Sequence, residues 1–235
     1  MIAKGSGYRR EDSQAHPPYA HVSYVSTQKR APLNAPIRFE ATLSEITGPR
    51  PPIDSISAGE ADLTHFAGGA AIGERIIITG CVLDEDGNPI RDTLIEVWQA
   101  NAAGRYAHDA DRHDAPLDPH FSGIGRVVTG REGGYRFVTI KPGAYPWGNH
   151  HNGWRPQHIH LSLFGPGFAT RLITQMYFPG DPLLALDPIF HSIADEHARA
   201  RLVASFDLGA TEPSHALGYR FDIVLRGRIA TPMEP

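Results

Sequence analysis

Two histidines separated by one residue mark the most informative segment of the chain. The segment reads Trp154-Arg155-Pro156-Gln157-His158-Ile159-His160-Leu161-Ser162-Leu163. Side chains alternate between the faces of a β-strand, so Ile159, Leu161 and Leu163 would point into a core. His158 and His160 would share the other face. Their α-carbons would lie about 6.6 Å apart along the strand, so the two imidazoles can converge on one metal ion. Two polar residues on a solvated strand face explain this pattern equally well when it is taken alone.

The composition fits one globular domain, or a large domain with an appendage. Of the 235 residues, 41% are hydrophobic, which is enough for a substantial core. No apolar run approaches the length of a membrane span, and no secretory signal follows Met1, so we expect a cytoplasmic protein without a membrane partner. The single cysteine, Cys81, fits a reducing compartment. A net charge of -4 without a basic tract argues against nucleic acid as a partner.

Short apolar runs separated by turn residues predict an all-β fold with a β-sandwich core. The predicted strands cover residues 74–83, 93–99, 125–129, 135–140, 158–164, 170–177 and 219–225. Long loops that would carry the active site separate some of them. One surface helix is expected after Ser192, because Ala198, Leu202 and Phe206 follow at helical spacing. Ser192 would be its N-cap, with Asp195 three residues later as in a capping box.

The N-terminal third has a different composition from the body at residues 71–235. Prolines recur through residues 1–70, including the runs at 16–18 and 49–52, and they exclude long helices there. We expect an extended, proline-rich arm that makes subunit contacts, because it carries apolar anchors. A disordered tail is the alternative. The anchors are Tyr8, Tyr19, Tyr24, Ile37, Phe39 and Leu43.

Two loops of unusual composition each carry a tyrosine, Tyr106 after the strand ending near residue 99 and Tyr145 before the histidine strand. A loop tyrosine is usually a surface aromatic, but Trp147 and Trp154 suggest an aromatic pocket here. Two phenols with two imidazoles suit a hard trivalent ion such as Fe³⁺. A phenol with a pKa of about 10 needs such a Lewis acid to ionise at neutral pH. Zinc usually selects Cys, His or carboxylate, and residues 161–167 offer none of the carboxylates that a cupin or a ferrous facial triad requires.

Several motifs in order carry a family resemblance that covers most of the chain. They are WQAN (98–101), GRY (104–106), APLDP (115–119), IKPG (140–143), YPW (145–147), WRPQHIH (154–160), LITQMYF (172–178), GDP (180–182) and YRFDIVLRG (219–227), with HPP (16–18) and TGP (47–49) before them. With these motifs the chain resembles the intradiol ring-cleavage dioxygenases, and within that family the protocatechuate 3,4-dioxygenase β subunits.

The resemblance implies a non-haem ferric centre with four protein ligands. Tyr106 and His158 would be equatorial ligands, Tyr145 and His160 axial ligands, and a hydroxide would fill the fifth position. A catechol bound as a dianion would displace the hydroxide and Tyr145, and both displaced groups would take the substrate's protons. The centre then stays formally neutral throughout binding.

Other residues receive pocket roles from the same resemblance. Arg155 would stabilise negative charge on the bound ring, Gln175 would line the pocket and Trp147 would form a wall. Tyr24 matches a position that approaches the substrate carboxylate. The adjacent histidines at 150–151 are not expected to be ligands, because neighbouring side chains diverge.

The implied reaction opens protocatechuate with O₂ between its two hydroxylated carbons, giving 3-carboxy-cis,cis-muconate for the β-ketoadipate pathway. The implied partner is a homologous α subunit, with several αβ pairs assembling further. A single-chain catechol or hydroxyquinol 1,2-dioxygenase is the alternative enzyme, although those relatives carry an N-terminal helical region that this chain lacks. A transthyretin-like binding module is the non-enzyme alternative, but such a module has no reason to hold this ligand set.

Overall fold

Short β-strands make up most of the regular structure in the computed structural model, which describes residues 53–148, 153–165 and 171–234 together with 15–18, 20, 32, 34 and 37. The strands are β1 (His65–Phe66), β2 (Gly69–Ala70), β3 (Arg75–Leu83), β4 (Leu94–Trp98), β5 (Ile124–Val128), β6 (Gly134–Ile140), β7 (Tyr145–Pro146), β8 (Trp154–Arg155), β9 (His158–Phe164), β10 (Arg171–Tyr177), β11 (Ser205–Phe206), β12 (Leu217–Arg220) and β13 (Ile223–Val224).

Two sheets enclose the core. One has the order β10-β9-β4-β5 with every pair antiparallel, and the other is built on β3, which pairs with β6 on one side and with β12 and β13 on the other. Apolar residues of both sheets form one buried cluster between them, which confirms the predicted β-sandwich. Two small ribbons, β1-β2 and β7-β8, lie outside these sheets.

The two faces of β9 separate core from site as the sequence predicted. Ile159, Leu161 and Leu163 are at most 1% exposed and belong to the core cluster. Burial of one such side chain stabilises a fold by about 1.5–3 kcal/mol. His158 and His160 therefore project from the opposite face, which is covered by loops rather than by the second sheet.

The predicted strand at 219–225 is interrupted. The pairing of β12 with β3 ends at Thr79, and that of β13 begins at Val82. Between them, the backbone N–H of Cys81 donates to the carboxylate of Asp222 (2.8 Å) instead of to a strand carbonyl. A side chain thus takes one place in the hydrogen-bond ladder, and the single predicted strand becomes two short ones.

The predicted helix is present but shorter, and its cap differs. The helix α1 spans Glu196–Ala200, and Asp195 caps it by accepting from the N–H of His197. Ser192 is not the cap, because it lies in a preceding 3-10 turn. The helix ends early since the backbone at 202–204 pairs with Tyr177, so the last predicted helical position lies in β11.

Among the described residues, the remaining helical elements are short 3-10 helices at Ile53–Ser55, Ala58–Ala61, Pro182–Leu186, Phe190–Ser192 and Leu208–Ala210. In the ranges that the structure describes, no helix has the length and apolar character needed to cross a membrane. Most of the predicted arm lies outside the described residues. Its described part includes Ala15, which is buried beside Tyr177 and Ile193, and His16, whose Nδ1 accepts from the N–H of Met233 (3.2 Å).

Candidate metal centre

The two histidines of β9 converge on one side of the sheet. Their ring centroids are 4.9 Å apart, and the residue between them, Ile159, is fully buried in the core. Strand register places Trp98 of β4 beside His160 on one side and Gln175 of β10 on the other. The ring of Trp98 stacks on His160 with 4.8 Å between centroids and 7° between planes. Regular strand pairing therefore fixes where both imidazoles lie.

Tyr145 reaches the same place through the ribbon β7-β8, in which it pairs directly with Arg155. Its hydroxyl oxygen lies 3.2 Å from Nε2 of His158. The ring of Tyr106 lies 5.4 Å from that of Tyr145 and 6.5 Å from that of His160, between centroids. The two phenols and two imidazoles thus form a single cluster.

In the loop that carries Tyr106, side-chain oxygens accept hydrogen bonds from backbone N–H groups. The Asn101 side-chain oxygen accepts from the N–H groups of Ala103 and Arg105, both at 3.0 Å. The carboxylate of Asp111 accepts from the N–H of Tyr106 itself, at 2.8 Å. Short side chains that close local turns in this way hold a loop rigidly without regular secondary structure.

Glycine allows the two tyrosine loops to approach each other. Gly104 has a φ of 77°, and a Cβ at this position would lie 2.1 Å from the carbonyl oxygen of Ala144. The N–H of Gly143 also donates to the Asn101 carbonyl (2.9 Å), which joins the loops by a backbone hydrogen bond. The separation of Tyr106 and Tyr145 therefore depends on a contact that no larger residue permits.

A hydrogen bond at Nδ1 of each imidazole determines that Nε2, with its lone pair, faces the cluster. Nδ1 of His158 is 2.6 Å from the carbonyl oxygen of Pro156, and Nδ1 of His160 is 2.8 Å from the carboxylate of Glu234. Both partners are acceptors, so each Nδ1 carries a proton, and Nε2 is the nitrogen that each ring can offer to a metal. In His158 that nitrogen lies beside the Tyr145 hydroxyl. The Tyr106 hydroxyl is buried, and none of the residues that the structure describes meets hydrogen-bond geometry with it. An unsatisfied buried phenol beside two oriented imidazoles fits a ferric ion, which accepts oxygen and nitrogen donors.

The pKa values of these groups follow from burial. Burial, with the neighbouring Tyr145, raises the pKa of the Tyr106 phenol well above its usual 10, and burial also raises that of Tyr145. Burial and the Arg155 charge hold the pKa of His158 well below its usual value. Without a metal the phenols are therefore protonated and His158 is neutral. Burial pushes the pKa of Glu234 upward, but hydrogen bonds from His160 and Gln175 outweigh it and the pKa is lowered.

A buried cation adjoins the cluster. The Arg155 guanidinium is 3% exposed and pairs with the fully buried carboxylate of Asp187, at 3.0 Å. It also donates to the Gln175 oxygen (2.6 Å) and to the Tyr177 hydroxyl (3.2 Å). Burial lowers the pKa of Arg155, but Tyr177, Asp187 and Tyr145 outweigh it and raise the pKa above its usual value, so the guanidinium stays charged. The Trp147 ring lies 5.4 Å from the guanidinium carbon, close enough for a cation–π contact.

Comparison with known proteins identifies the family. A family model described as "Dioxygenase" matches residues 46–227, and one described as "Protocatechuate 3,4-dioxygenase beta subunit N terminal" matches residues 8–42. The chain is 59% identical over 225 residues to a protocatechuate 3,4-dioxygenase beta chain of Burkholderia cepacia, covering 95% of each chain. The chain belongs to the intradiol ring-cleavage dioxygenase family.

More distant proteins match the chain in sequence or in structure. A protocatechuate 3,4-dioxygenase alpha chain of Burkholderia cepacia is 34% identical over 160 residues, covering 67% of this chain and 75% of that one. The crystal structure of a 3-chlorocatechol 1,2-dioxygenase from Rhodococcus opacus matches with a TM-score of 0.54 at 23% identity, covering 72% of this chain and 65% of that one. Membership in an enzyme family leaves no support for the transthyretin-like alternative.

For this dioxygenase chain, the structure brings together most of the candidate residues chosen from sequence. These are Tyr106, Tyr145, Trp147, Arg155, His158, His160 and Gln175. Tyr24 and the histidines at 150–151 lie outside the described residues. Sequence analysis missed four residues that contact the candidates, namely Trp98, Tyr177, Asp187 and Glu234. Strand register offered a signal for Trp98 and Tyr177, whereas nothing local indicated Asp187 or Glu234.

Proposed function

We propose that this protein cleaves protocatechuate with O₂ at a non-haem ferric ion, giving 3-carboxy-cis,cis-muconate for the β-ketoadipate pathway. The observation that carries the proposal is the convergence of two phenols and two imidazoles, in which the Tyr106 hydroxyl is buried and has no hydrogen-bond partner among the described residues. The similarity to a protocatechuate 3,4-dioxygenase beta chain supports the choice of substrate. A catechol or hydroxyquinol 1,2-dioxygenase remains the alternative, and the beta-subunit N-terminal match argues against it.

In this proposal Tyr106, Tyr145, His158 and His160 hold the metal. Bound Fe³⁺ would act as a Lewis acid that ionises the catechol and makes its ring reactive toward O₂. Each imidazole would bind the metal through Nε2, because its Nδ1–H is directed to an oxygen acceptor. Two phenolates supply the anionic charge that stabilises a trivalent ion in a buried site.

Tyr145 is proposed to be the ligand that leaves when substrate binds. Its position on a two-residue ribbon, outside the two main sheets, leaves it fewer backbone constraints than a residue of β9 has. As a phenolate it is also a base, so it takes one catechol proton as it leaves. Substrate binding then requires no other side chain as proton acceptor at that position.

Arg155 is proposed to stabilise the negative charge that develops on the ring. Its guanidinium is fixed by Asp187 and Gln175 before substrate arrives, so little reorganisation is needed during the reaction. Gln175 lines the pocket and Trp147 forms a wall on the guanidinium side. Tyr24 is proposed to approach the substrate carboxylate, in keeping with the family resemblance.

We also propose that a homologous α chain completes the enzyme and that αβ pairs assemble further. Residues 1–70 would serve as the arm for subunit contacts and residues 71–235 as the catalytic domain. The relatives named as beta and alpha chains support this arrangement. With one unpaired cysteine, Cys81, the proposed compartment is the cytoplasm.

Oxygen uptake and product analysis test the proposed function. The iron-loaded protein, with and without a co-expressed α chain, is given protocatechuate, catechol or hydroxyquinol under air. We expect one O₂ consumed per protocatechuate, 3-carboxy-cis,cis-muconate as product, and much higher turnover with the α chain present. Preferential cleavage of catechol or hydroxyquinol would contradict the substrate. Full turnover by this chain alone would contradict the proposed requirement for an α chain.

A further inference from the structure

The segment Thr231–Glu234 packs along β10 and brings a carboxylate to the candidate centre. The N–H of Glu234 donates to the carbonyl of Ile173 (2.9 Å), and the Thr174 hydroxyl donates to the carbonyl of Pro232 (2.7 Å). These two hydrogen bonds, at Pro232 and at Glu234 itself, hold the segment against β10 and fix the direction in which the Glu234 side chain leaves it. That side chain is only 21% exposed.

One oxygen of this carboxylate serves two donors. Oε2 of Glu234 lies 2.8 Å from Nδ1 of His160 and 3.0 Å from Nε2 of Gln175. His160 and Gln175 are register neighbours on β9 and β10, so their side chains reach a common acceptor above the sheet. The carboxylate therefore joins a candidate metal ligand to a residue of the adjacent strand.

Gln175 extends this contact to Arg155. Its oxygen accepts from Arg155 (2.6 Å) and from the Tyr177 hydroxyl (2.9 Å), while its nitrogen donates to Glu234. The two ends of an amide differ in hydrogen-bonding character, so these partners allow only one orientation of the side chain. A continuous chain of hydrogen bonds runs from His160 through Glu234 and Gln175 to Arg155.

The stacking of Trp98 on His160 leaves the orientation of the ring within its plane undecided, and Glu234 decides it. Trp98 stacks on the imidazole and fixes the plane of the ring. Stacking does not decide which nitrogen carries the proton, nor which nitrogen faces the cluster. An anionic acceptor at Nδ1 decides both, because it stabilises the Nδ1–H tautomer and turns Nε2 toward the metal position.

We infer that Glu234 is a positioning residue that orients His160 as a metal ligand and, through Gln175, holds Arg155 in place. This inference rests on the proposed function. It goes beyond the ligand set by assigning a role to a residue 74 positions away from His160 in sequence. Loss of the group that accepts a hydrogen bond from a metal-binding histidine typically weakens metal binding tenfold to a hundredfold.

Two variants of Glu234 test the inference, with an exposed glutamate as control. Glu234→Ala removes the acceptor, Glu234→Gln keeps an acceptor oxygen without the charge, and Glu212→Gln alters a half-exposed pair far from the site. Iron release to a chelator is timed for each iron-loaded protein. We expect release about tenfold to a hundredfold faster for Glu234→Ala, an intermediate rate for Glu234→Gln and the parent rate for Glu212→Gln.

A second readout uses the metal-free protein and requires no activity. Nitrogen NMR of the histidine side chains distinguishes the two tautomers of His160. We expect the Nδ1–H tautomer in the parent and in Glu234→Gln, and its loss in Glu234→Ala. Parent-like iron release and tautomer in Glu234→Ala would overturn the inference. If that variant fails to fold, parent-like iron release by Glu234→Gln overturns it. A parent that binds no ferric ion would instead contradict the proposed function, so the two failures are distinguishable.

Discussion

The hydroxyl oxygen of Tyr145 lies 3.2 Å from Nε2 of His158, the nitrogen that the Pro156 carbonyl leaves free on the imidazole. In the metal-free protein the phenol thus donates to the atom that the proposed centre uses as a ligand. Burial keeps the phenol protonated. The same pair of atoms therefore forms a hydrogen bond in the metal-free protein and, in the proposed centre, would form two bonds to the metal.

The first prediction concerns Tyr145→Phe. Iron should be retained by the three remaining ligands, but catechol should bind more slowly, because the leaving ligand and the proton acceptor are lost together. Stopped-flow absorbance measures the binding rate, and Tyr219→Phe, on the other sheet, controls for loss of a hydroxyl. His160→Ala should instead lose the iron. A wild-type rate of binding and turnover in Tyr145→Phe would show that its displacement plays no part.

The close approach of the tyrosine loops gives the second prediction. Gly104 and Gly87 both have a positive φ, of 77° and 83°, but only a Cβ on Gly104 would meet backbone, at the Ala144 carbonyl. Gly87→Ala should cost only the strain of a left-handed residue, about 1–2 kcal/mol, and keep its iron. Gly104→Ala should cost more and lower the iron content, because the loops must separate. Unfolding in urea and metal analysis measure both, and equal iron contents in the two variants would count against the loop argument.

Much of this site follows from the sequence because its signals are local. Alternation along residues 158–163 predicts which face carries the histidines, and the loop compositions point to Tyr106 and Tyr145. Glu234 and Asp187 were missed because they meet His160 and Arg155 across 74 and 32 positions of the chain, through loops without periodicity. The break in the strand at 219–225 was missed for a related reason. There the Asp222 carboxylate accepts a hydrogen bond that a backbone carbonyl would accept in a continuous strand. The residue pattern of the sequence does not reveal such a replacement.

The third prediction compares a buried and an exposed ion pair. Arg155 and Asp187 are almost fully buried, whereas Arg136 and Glu212 are half exposed at a similar distance. Asp187→Asn should lower the free energy of unfolding by about 3–5 kcal/mol, because it leaves a buried cation without its counter-charge. Glu212→Gln should cost less than about 1 kcal/mol. Urea titrations measure both, and similar losses would mean that water reaches Arg155.

Proton release on iron binding is the fourth prediction. Since burial raises the pKa of Tyr106 and of Tyr145 above the usual phenol value of about 10, both phenols keep their protons at neutral pH in the metal-free protein. His158 is already neutral because its pKa is lowered. Binding of Fe³⁺ should release at least two protons, so affinity should increase as pH rises. Calorimetry in buffers of different ionisation enthalpy counts the protons, and Tyr106→Phe should release one fewer. Fewer than two from the parent would rule out two phenolate ligands.

The visible spectrum of the purified, iron-loaded protein tests the central claim most directly. Phenolate-to-iron charge transfer from Tyr106 and Tyr145 should give a red-brown colour, with about one iron per chain, and the band should shift when protocatechuate is added without O₂. Tyr106→Phe should weaken the band, whereas Tyr219→Phe should leave it unchanged. A colourless preparation that cleaves protocatechuate and contains zinc would contradict a ferric-phenolate centre.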